Sequence, residues 1–94
     1  MQIEFFRDWL RINKSYPEQT ISSRISDCKR VEKYYGDLDK VLVECGENWL
    51  LEELKYSAQN ERDNKVPKII IKGNIRNSYS TMKKSVRLYF ECFS

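Results

Sequence analysis

Histidine is absent from this chain of 94 residues, and glycine and proline are scarce, with three and two residues. Histidine is the commonest general base and the usual partner of a serine or cysteine nucleophile. The three glycines stand alone, so the sequence contains neither a phosphate-binding loop nor a dinucleotide-binding motif. These absences predict a protein that is not an enzyme, needs no cofactor and has no evident small-molecule substrate.

The three cysteines, Cys28, Cys45 and Cys92, are odd in number and far apart in the chain. Without histidine they cannot complete a four-ligand zinc site within one chain. Each of them lies in or beside an apolar pattern. We therefore expect three buried thiols in a reducing cytoplasm and no metal site.

No apolar run approaches the roughly 18 residues that a membrane span requires, and Met1–Leu10 lacks the pattern of a signal peptide. Charged residues make up 33% of the chain and hydrophobic residues 40%, which is typical of a soluble, folded protein. This length supports one modest hydrophobic core. We expect a single helical domain over residues 1–94, cytoplasmic and without membrane contact.

Helical periodicity is the main structural signal in the first third of the chain. Gln2–Asn13 carries its apolar residues on one stripe, and Pro17 predicts a break at Ser15 or Tyr16. The segment from Pro17 to Tyr35 has apolar residues spaced four, three, three and four. This spacing predicts the longest helix, with Gly36 placed to end it.

Turn-forming residues divide the rest of the chain into shorter predicted elements. Asp37 or Asp39 can cap a third helix that buries Cys45 and stops at Gly46, and a fourth helix is predicted from Glu47 or Asn48 through Tyr56. Residues 57–68 are predicted to be a loop, and the run of isoleucines after them to be an extended segment packing Ile69 and Ile71 on the helices. A last helix is predicted over 78–93, capped by Asn77 or Ser78.

Six aromatic residues are assigned to the core: Phe5, Phe6, Trp9, Trp49, Tyr89 and Phe93. The predicted fold is all-α, a compact orthogonal bundle of four to five helices.

The net charge of +3 is unevenly distributed along the chain. Residues 1–54 have eight basic and eleven acidic side chains, whereas residues 55–94 have nine basic and three acidic ones. Six of the acids lie between Asp37 and Glu53. We interpret these acids as a solvated surface, as a device that repels DNA and confines it to the opposite face, or as a mimic of DNA that captures a basic protein.

Two basic helical stripes are candidates for contact with an anionic partner. The second helix carries Arg24, Lys29, Arg30 and Lys33 among acidic neighbours, so a solvated face is an equally good interpretation there. The last helix carries Arg76, Lys83, Lys84 and Arg87, and no acid follows until Glu91. Like charges four residues apart, such as Lys83 and Arg87, destabilise a helix slightly, and an anionic partner removes that cost.

The order of these parts resembles the SAM-like core-binding domain of tyrosine recombinases, the phage integrases. The residues matching the family's first two helices are Phe6, Trp9, Leu10, Thr20, Ile21, Arg24, Cys28 and Val31. Those matching its last helix are Asn77, Thr81, Lys84, Val86, Leu88, Tyr89 and Phe93. In that family the domain clamps duplex DNA through phosphate contacts from its second and last helices, and a separate domain performs the chemistry.

The chain departs from the family in one important respect. The catalytic domain of the family uses a set of Arg, Lys, His and Tyr residues, and nothing in this sequence can represent it. Either the chain is the N-terminal part of a longer phage or bacterial protein, or it is a small protein that shares the fold alone.

From the sequence we predict a non-catalytic domain that binds the backbone of double-stranded DNA through both basic helices. The expected contacts are Arg76, Lys83, Lys84, Arg87, Arg24, Lys29 and Lys33. The alternative is a protein-interaction or inhibitor module that acts through the acidic region 37–53.

Overall fold

The computed structural model describes residues 1–56, 58–69, 71 and 73–93, and these residues are mainly helical with no β-strand. Six α-helices lie within these ranges: α1 Ile3–Trp9, α2 Glu18–Tyr35, α3 Leu38–Glu44, α4 Glu47–Glu53, α5 Ala58–Arg62 and α6 Ile75–Cys92. The predicted all-α bundle is therefore confirmed. None of the helices in the described part of the chain has the length and apolar composition needed to cross a membrane.

The helical path of α1 extends beyond Trp9 as a π-helical turn, Leu10–Lys14. It ends at Ser15, whose φ of 53° lies in the left-handed region that serine seldom adopts. Pro17 then has an extended backbone and directly precedes α2. The predicted first helix and its end at Ser15 are confirmed.

α2 follows its sequence pattern closely. Its four buried residues, Ile21, Ile25, Cys28 and Val31, are members of the predicted stripe. Gly36 ends the helix with a φ of 94°, which a residue with a Cβ atom adopts only under strain. Its N–H donates to the Glu32 carbonyl at 2.9 Å, so the last turn of α2 is closed as the chain turns away.

Asp37 caps α3, as predicted, because its carboxylate accepts a hydrogen bond from the Asp39 N–H at 3.3 Å. Gly46, with a φ of 88°, separates α3 from α4. α4 ends at Glu53, three residues before the predicted end at Tyr56. The predicted loop 57–68 is partly wrong, since Ala58–Arg62 forms a single helical turn, α5. Ser57 lies outside the described residues.

The extended segment packs on the helices as predicted. Ile69 is fully buried, and its N–H donates to the Tyr79 hydroxyl at 3.0 Å. Ile71 lies against the core, while Ile70 and Lys72 are outside the described residues. α6 begins at Ile75, three residues before the predicted start, because Asn74 accepts from the Asn77 N–H and caps the helix instead of Asn77 or Ser78.

The core is centred on the pairing of α6 with α2. Arg24 of α2 contacts Ser85, near the middle of α6. Where α6 begins and α2 ends, the Tyr79 hydroxyl accepts from the Ile69 N–H, and the neighbouring Lys68 lies over the ring of Tyr35 at 4.2 Å. The two long helices therefore run antiparallel. Their buried residues form one cluster with those of α1, α3 and α4: Phe6, Leu10, Ile21, Ile25, Cys28, Val31, Leu38, Val41, Leu50, Leu54, Ile69, Tyr79, Met82, Val86, Leu88, Tyr89 and Phe90.

Several side chains assigned to the core are in fact exposed. Phe5, Trp49 and Phe93 expose 51%, 44% and 38% of their surface, and Trp9 is half-buried. Cys28 is buried, as predicted, but Cys45 is exposed and Cys92 is half-buried. The prediction of three buried thiols is therefore wrong for two of them. These residues lie at the edges of the helical stripes, where the same spacing suits either environment.

A polar network ties α6 to the start of the chain and to α3. The buried Tyr89 donates its hydroxyl hydrogen to Asp39 and accepts from the Gln2 N–H at 2.9 Å. The Met1 amine contacts Glu32, at 2.9 Å, and Asp37. Removal of the Tyr89 hydroxyl would leave the Gln2 N–H and the Asp39 carboxylate without this hydrogen-bond partner, which is costly where water is largely excluded.

We expect Tyr89→Phe to lower the free energy of unfolding by about 1–3 kcal/mol, since it removes these hydrogen bonds without removing the ring. Urea denaturation at neutral pH measures the change. Tyr34→Phe is the matched control, because Tyr34 is half-buried and its hydroxyl bonds to none of the described residues. Equal stability of the two variants would contradict a structural role for the network.

Candidate nucleic-acid interface

The two sides of α6 have opposite chemical character. With 3.6 residues per turn, Met82, Val86 and Tyr89 fall on the buried side. Ser80, Lys83 and Arg87 recur at spacings of three and four on the other side. The packing of the apolar side against α2 and α4 therefore turns this basic side toward solvent.

An open groove with a volume of about 510 Å³ lies on that solvent side. Six side chains line this α6 groove: Ser80, Lys83, Lys84, Arg87, Leu88 and Glu91. Three of the six are cations, one is an acid, and none is aromatic. The groove is suited to an anionic chain that lies along the helix.

The cations of the α6 groove keep their charge available to a partner. Lys84 and Arg87 form no ion pair with any carboxylate in the described part of the chain. Glu91, the acid in the groove, accepts instead from Lys14 at 3.1 Å. The groove therefore presents three positive charges, while its negative charge is compensated from outside.

Lys83 also influences α4. The pKa of Glu52 is lowered chiefly by its hydrogen bond with Lys55, at 2.7 Å, and to a smaller extent by the charge of Lys83. Glu52 is thus already engaged by Lys55. Arg76, at the start of α6, is exposed and falls on the same side as Lys83 by the helical period.

Arg24 has a different environment from the one predicted. It is half-buried between α2 and α6, where its Nη1 lies 3.4 Å from the Ser85 hydroxyl oxygen. Its Nε is buried and has no hydrogen-bond partner among the described residues. The fully buried Ser85 donates in turn to Asp27 at 2.9 Å. Arg24 therefore belongs to the interface between the two helices more than to the outer surface.

Lys29 and Lys33 are exposed, but α2 does not carry them beside the α6 groove. Arg24 and Asp27 mark the side of α2 that meets Ser85. The helical period places both lysines at least about 120° around α2 from each of these residues. The structure thus brings Lys83, Lys84 and Arg87 together and leaves Lys29 and Lys33 on another side.

Arg30 is the cation of α2 that the predicted site omitted. It lies about 60° around the helix from Asp27, and its charge acts on the Asp27 carboxylate. Arg30 is exposed, on the side of α2 next to Asp27. Its position relative to α6 depends on the orientation of α2, which the sequence alone does not give.

The acidic region 37–53 is divided by the fold. Asp37 caps α3 and contacts the Met1 amine, Asp39 accepts from Tyr89, and Glu52 accepts from Lys55. Glu44 and Glu47 are exposed on the surface of α3 and α4. Within the described ranges, no group of three or more Cys, Asp and Glu side chains is arranged to hold a metal ion.

Comparison with known proteins gives no match to this chain from a family model, a curated protein or a solved structure. The likeness to the core-binding domain of tyrosine recombinases therefore stays a prediction from sequence. The geometry and charge of the α6 groove carry the functional argument.

Asp27 provides a test of the α2–α6 interface. Burial raises the pKa of Asp27, and the Ser85 hydrogen bond with the charges of Arg24 and Arg30 only partly offsets this effect. Compared with the unfolded state, the folded state therefore binds this proton more tightly. The stability gained from the protonated carboxyl is complete below the ordinary pKa of aspartate and is lost as the pH rises through the raised value.

Asp27→Asn removes this titration and keeps an oxygen that accepts from Ser85. The unmodified protein loses this stability as the pH rises, and Asp27→Asn does not. We therefore expect the free energy of unfolding of Asp27→Asn, minus that of the unmodified protein, to increase between about pH 3 and pH 7. Urea titrations of both proteins across this range measure it. A change in the opposite direction would mean that the attraction between Asp27 and Arg24 dominates over burial.

Proposed function

We propose that this domain binds the phosphate backbone of double-stranded DNA along the α6 groove, as a non-catalytic, accessory DNA-binding unit. The observation that carries the proposal is the convergence of Lys83, Lys84 and Arg87 with the Ser80 hydroxyl on one open face. Phosphate contacts of lysine, arginine and serine give affinity without reading the bases.

The spacing within the α6 groove suits a repeating anion. Lys83 and Arg87 are one turn apart, which corresponds to about 6 Å along the helix axis. Phosphates of one DNA strand succeed each other at about 3.4 Å along the duplex, and long flexible side chains adapt to that spacing. Bound phosphates also relieve the mutual repulsion of Lys83 and Arg87.

Duplex DNA fits the groove better than a single strand does. Proteins that hold single strands combine a positive groove with aromatic side chains on which bases stack. The α6 groove contains no aromatic lining residue. The exposed aromatic side chains Phe5 and Phe93 stack on each other at 5.1 Å.

A protein partner on α3 and α4 is the second candidate function. Val43 and Trp49 are exposed there beside the carboxylates of Glu44 and Glu47. An apolar surface with acidic neighbours is suited to a basic protein partner. This candidate gains support if the duplex does not bind.

Fluorescence anisotropy with a labelled duplex of about 25–30 base pairs, titrated at low and then moderate salt, tests the DNA proposal. We expect affinity to fall steeply as salt increases, since each phosphate contact releases counterions. The double substitution Lys83→Gln with Arg87→Gln should reduce the slope of log affinity against log salt by about 1.8, for two lost contacts.

Lys29→Gln with Lys33→Gln is the matched control, because it removes the same charge from exposed positions away from the groove. We expect it to leave the slope within about 0.5 of the unmodified protein. Equal losses in the two double variants would show that net charge, and not the α6 groove, governs binding. No binding at low salt would overturn the DNA proposal.

A further inference from the structure

The outer side of α1 carries an apolar surface that the DNA proposal does not use, and Trp9 within it is half-buried with Lys14 over its ring. Phe5, Trp9 and Ile12 recur at spacings of four and three, and Phe93 stacks on Phe5 with its ring at 5.1 Å and 22°. Phe5, Ile12 and Phe93 expose 51%, 76% and 38% of their surface. These four residues form what we call the α1 stripe.

The exposure of the α1 stripe follows from the packing of the helix. Phe6 and Leu10 occupy the core, and Phe5 lies about 100° around the helix from Phe6. Ile12 follows in the π-helical turn Leu10–Lys14 and is the most exposed member of the stripe. A surface stripe of this length on a small domain marks an interaction surface.

The charges beside the α1 stripe are compensated within the chain. Arg7 donates to Glu4 at 2.6 Å, and Arg11 contacts Asp8 at 3.3 Å and Glu18 at 2.5 Å. With two bases paired to three acids, the flank shows no excess of positive charge, in contrast to the α6 groove. A polyanion gains little here, and a second copy of the chain meets no uncompensated like charge.

The order of these charges is self-complementary. Glu4, Arg7, Asp8 and Arg11 read acid, base, acid, base, so reversing the direction of the helix exchanges the signs. When two α1 helices lie antiparallel about a two-fold axis, Glu4 of one copy lies beside Arg11 of the other on the same flank. A two-fold interface requires this kind of match, since the same surface is used by both subunits.

We propose that the α1 stripe is a dimer interface in which α1 and the π-helical turn Leu10–Lys14 pack antiparallel against the same segment of a second copy. Phe5 of each chain then packs near Ile12 of its partner, since these two residues, like Glu4 and Arg11, are seven positions apart. The two-fold axis crosses the helices near Asp8. The α1 stripe and the α6 groove contain no residue in common, and Lys14 lies between them, over the ring of Trp9 and 3.1 Å from Glu91.

Sedimentation velocity over a concentration series from about 5 to about 500 µM, without DNA, tests the dimer. We expect the average mass to rise from that of the monomer toward twice that value. Ile12→Ser should weaken self-association by at least about tenfold. Ile12 is not part of the core, so this substitution leaves folding intact.

Val66→Ser is the matched control, because Val66 is 90% exposed in the segment that follows α5 and not on the α1 stripe. It should dimerise like the unmodified protein. Equal weakening by both substitutions, or a mass that stays monomeric throughout the series, would overturn the proposal. A monomer that still binds duplex DNA would leave the α6 groove untouched, so the two proposals fail separately.

A charge exchange tests the antiparallel geometry itself. Glu4→Arg places a second guanidinium beside Arg11 of the partner and should weaken the dimer, whereas Glu4→Arg combined with Arg11→Glu restores opposite charges across the two-fold axis. We expect the double variant to recover most of the self-association lost in the single one. Thermal unfolding at low concentration confirms that both variants fold, and a double variant weaker than the single one would rule out this pairing.

Discussion

The packing of α6 against α2 is the constraint on which the rest of the structure depends. Seven side chains of α6 are buried, and those of α1, α3 and α4 complete the same cluster around them. The burial of Tyr79, Met82 and Val86 fixes the rotation of α6 about its axis. Once the buried side of a helix is fixed, the direction of its opposite side is fixed as well. The packing that stabilises the domain therefore also turns Lys83 and Arg87 to solvent.

The α2–α6 pairing also decides which cations are available. Arg24 and Asp27 both contact the Ser85 hydroxyl at the interface. The guanidinium of Arg24, predicted from the sequence to contact phosphate, therefore lies between the two helices. Two of the acids are likewise engaged within the fold, because Asp37 caps α3 and Asp39 accepts a hydrogen bond from Tyr89. The surface that remains has a basic side on α6 and a charge-compensated side on α1.

Much of this fold follows from the sequence, and the exceptions have physical causes. α2 was predictable because its period, Pro17 and Gly36 all indicate the same bounds. The start of α6 was not, since Asn74, Asn77 and Ser78 all suit a cap, and the packing of Ile75 on the core favours the earliest of them. The exposure of Phe5 depends on whether Phe6 or Phe5 meets α6, which periodicity alone does not decide. For the candidate site, Lys83, Lys84 and Arg87 were predictable together, whereas the positions of Arg24 and Arg30 required the orientation of α2.

The most direct measurement of the central claim is an NMR titration of the ¹⁵N-labelled protein with an unlabelled DNA duplex at low salt. We expect shift changes concentrated on the solvent side of α6, from Ser80 to Glu91, with smaller ones at Arg30 and none at Lys29 or Lys33. Shift changes centred on α3 and α4, or none anywhere, would contradict the assignment of the α6 groove as the DNA-binding surface.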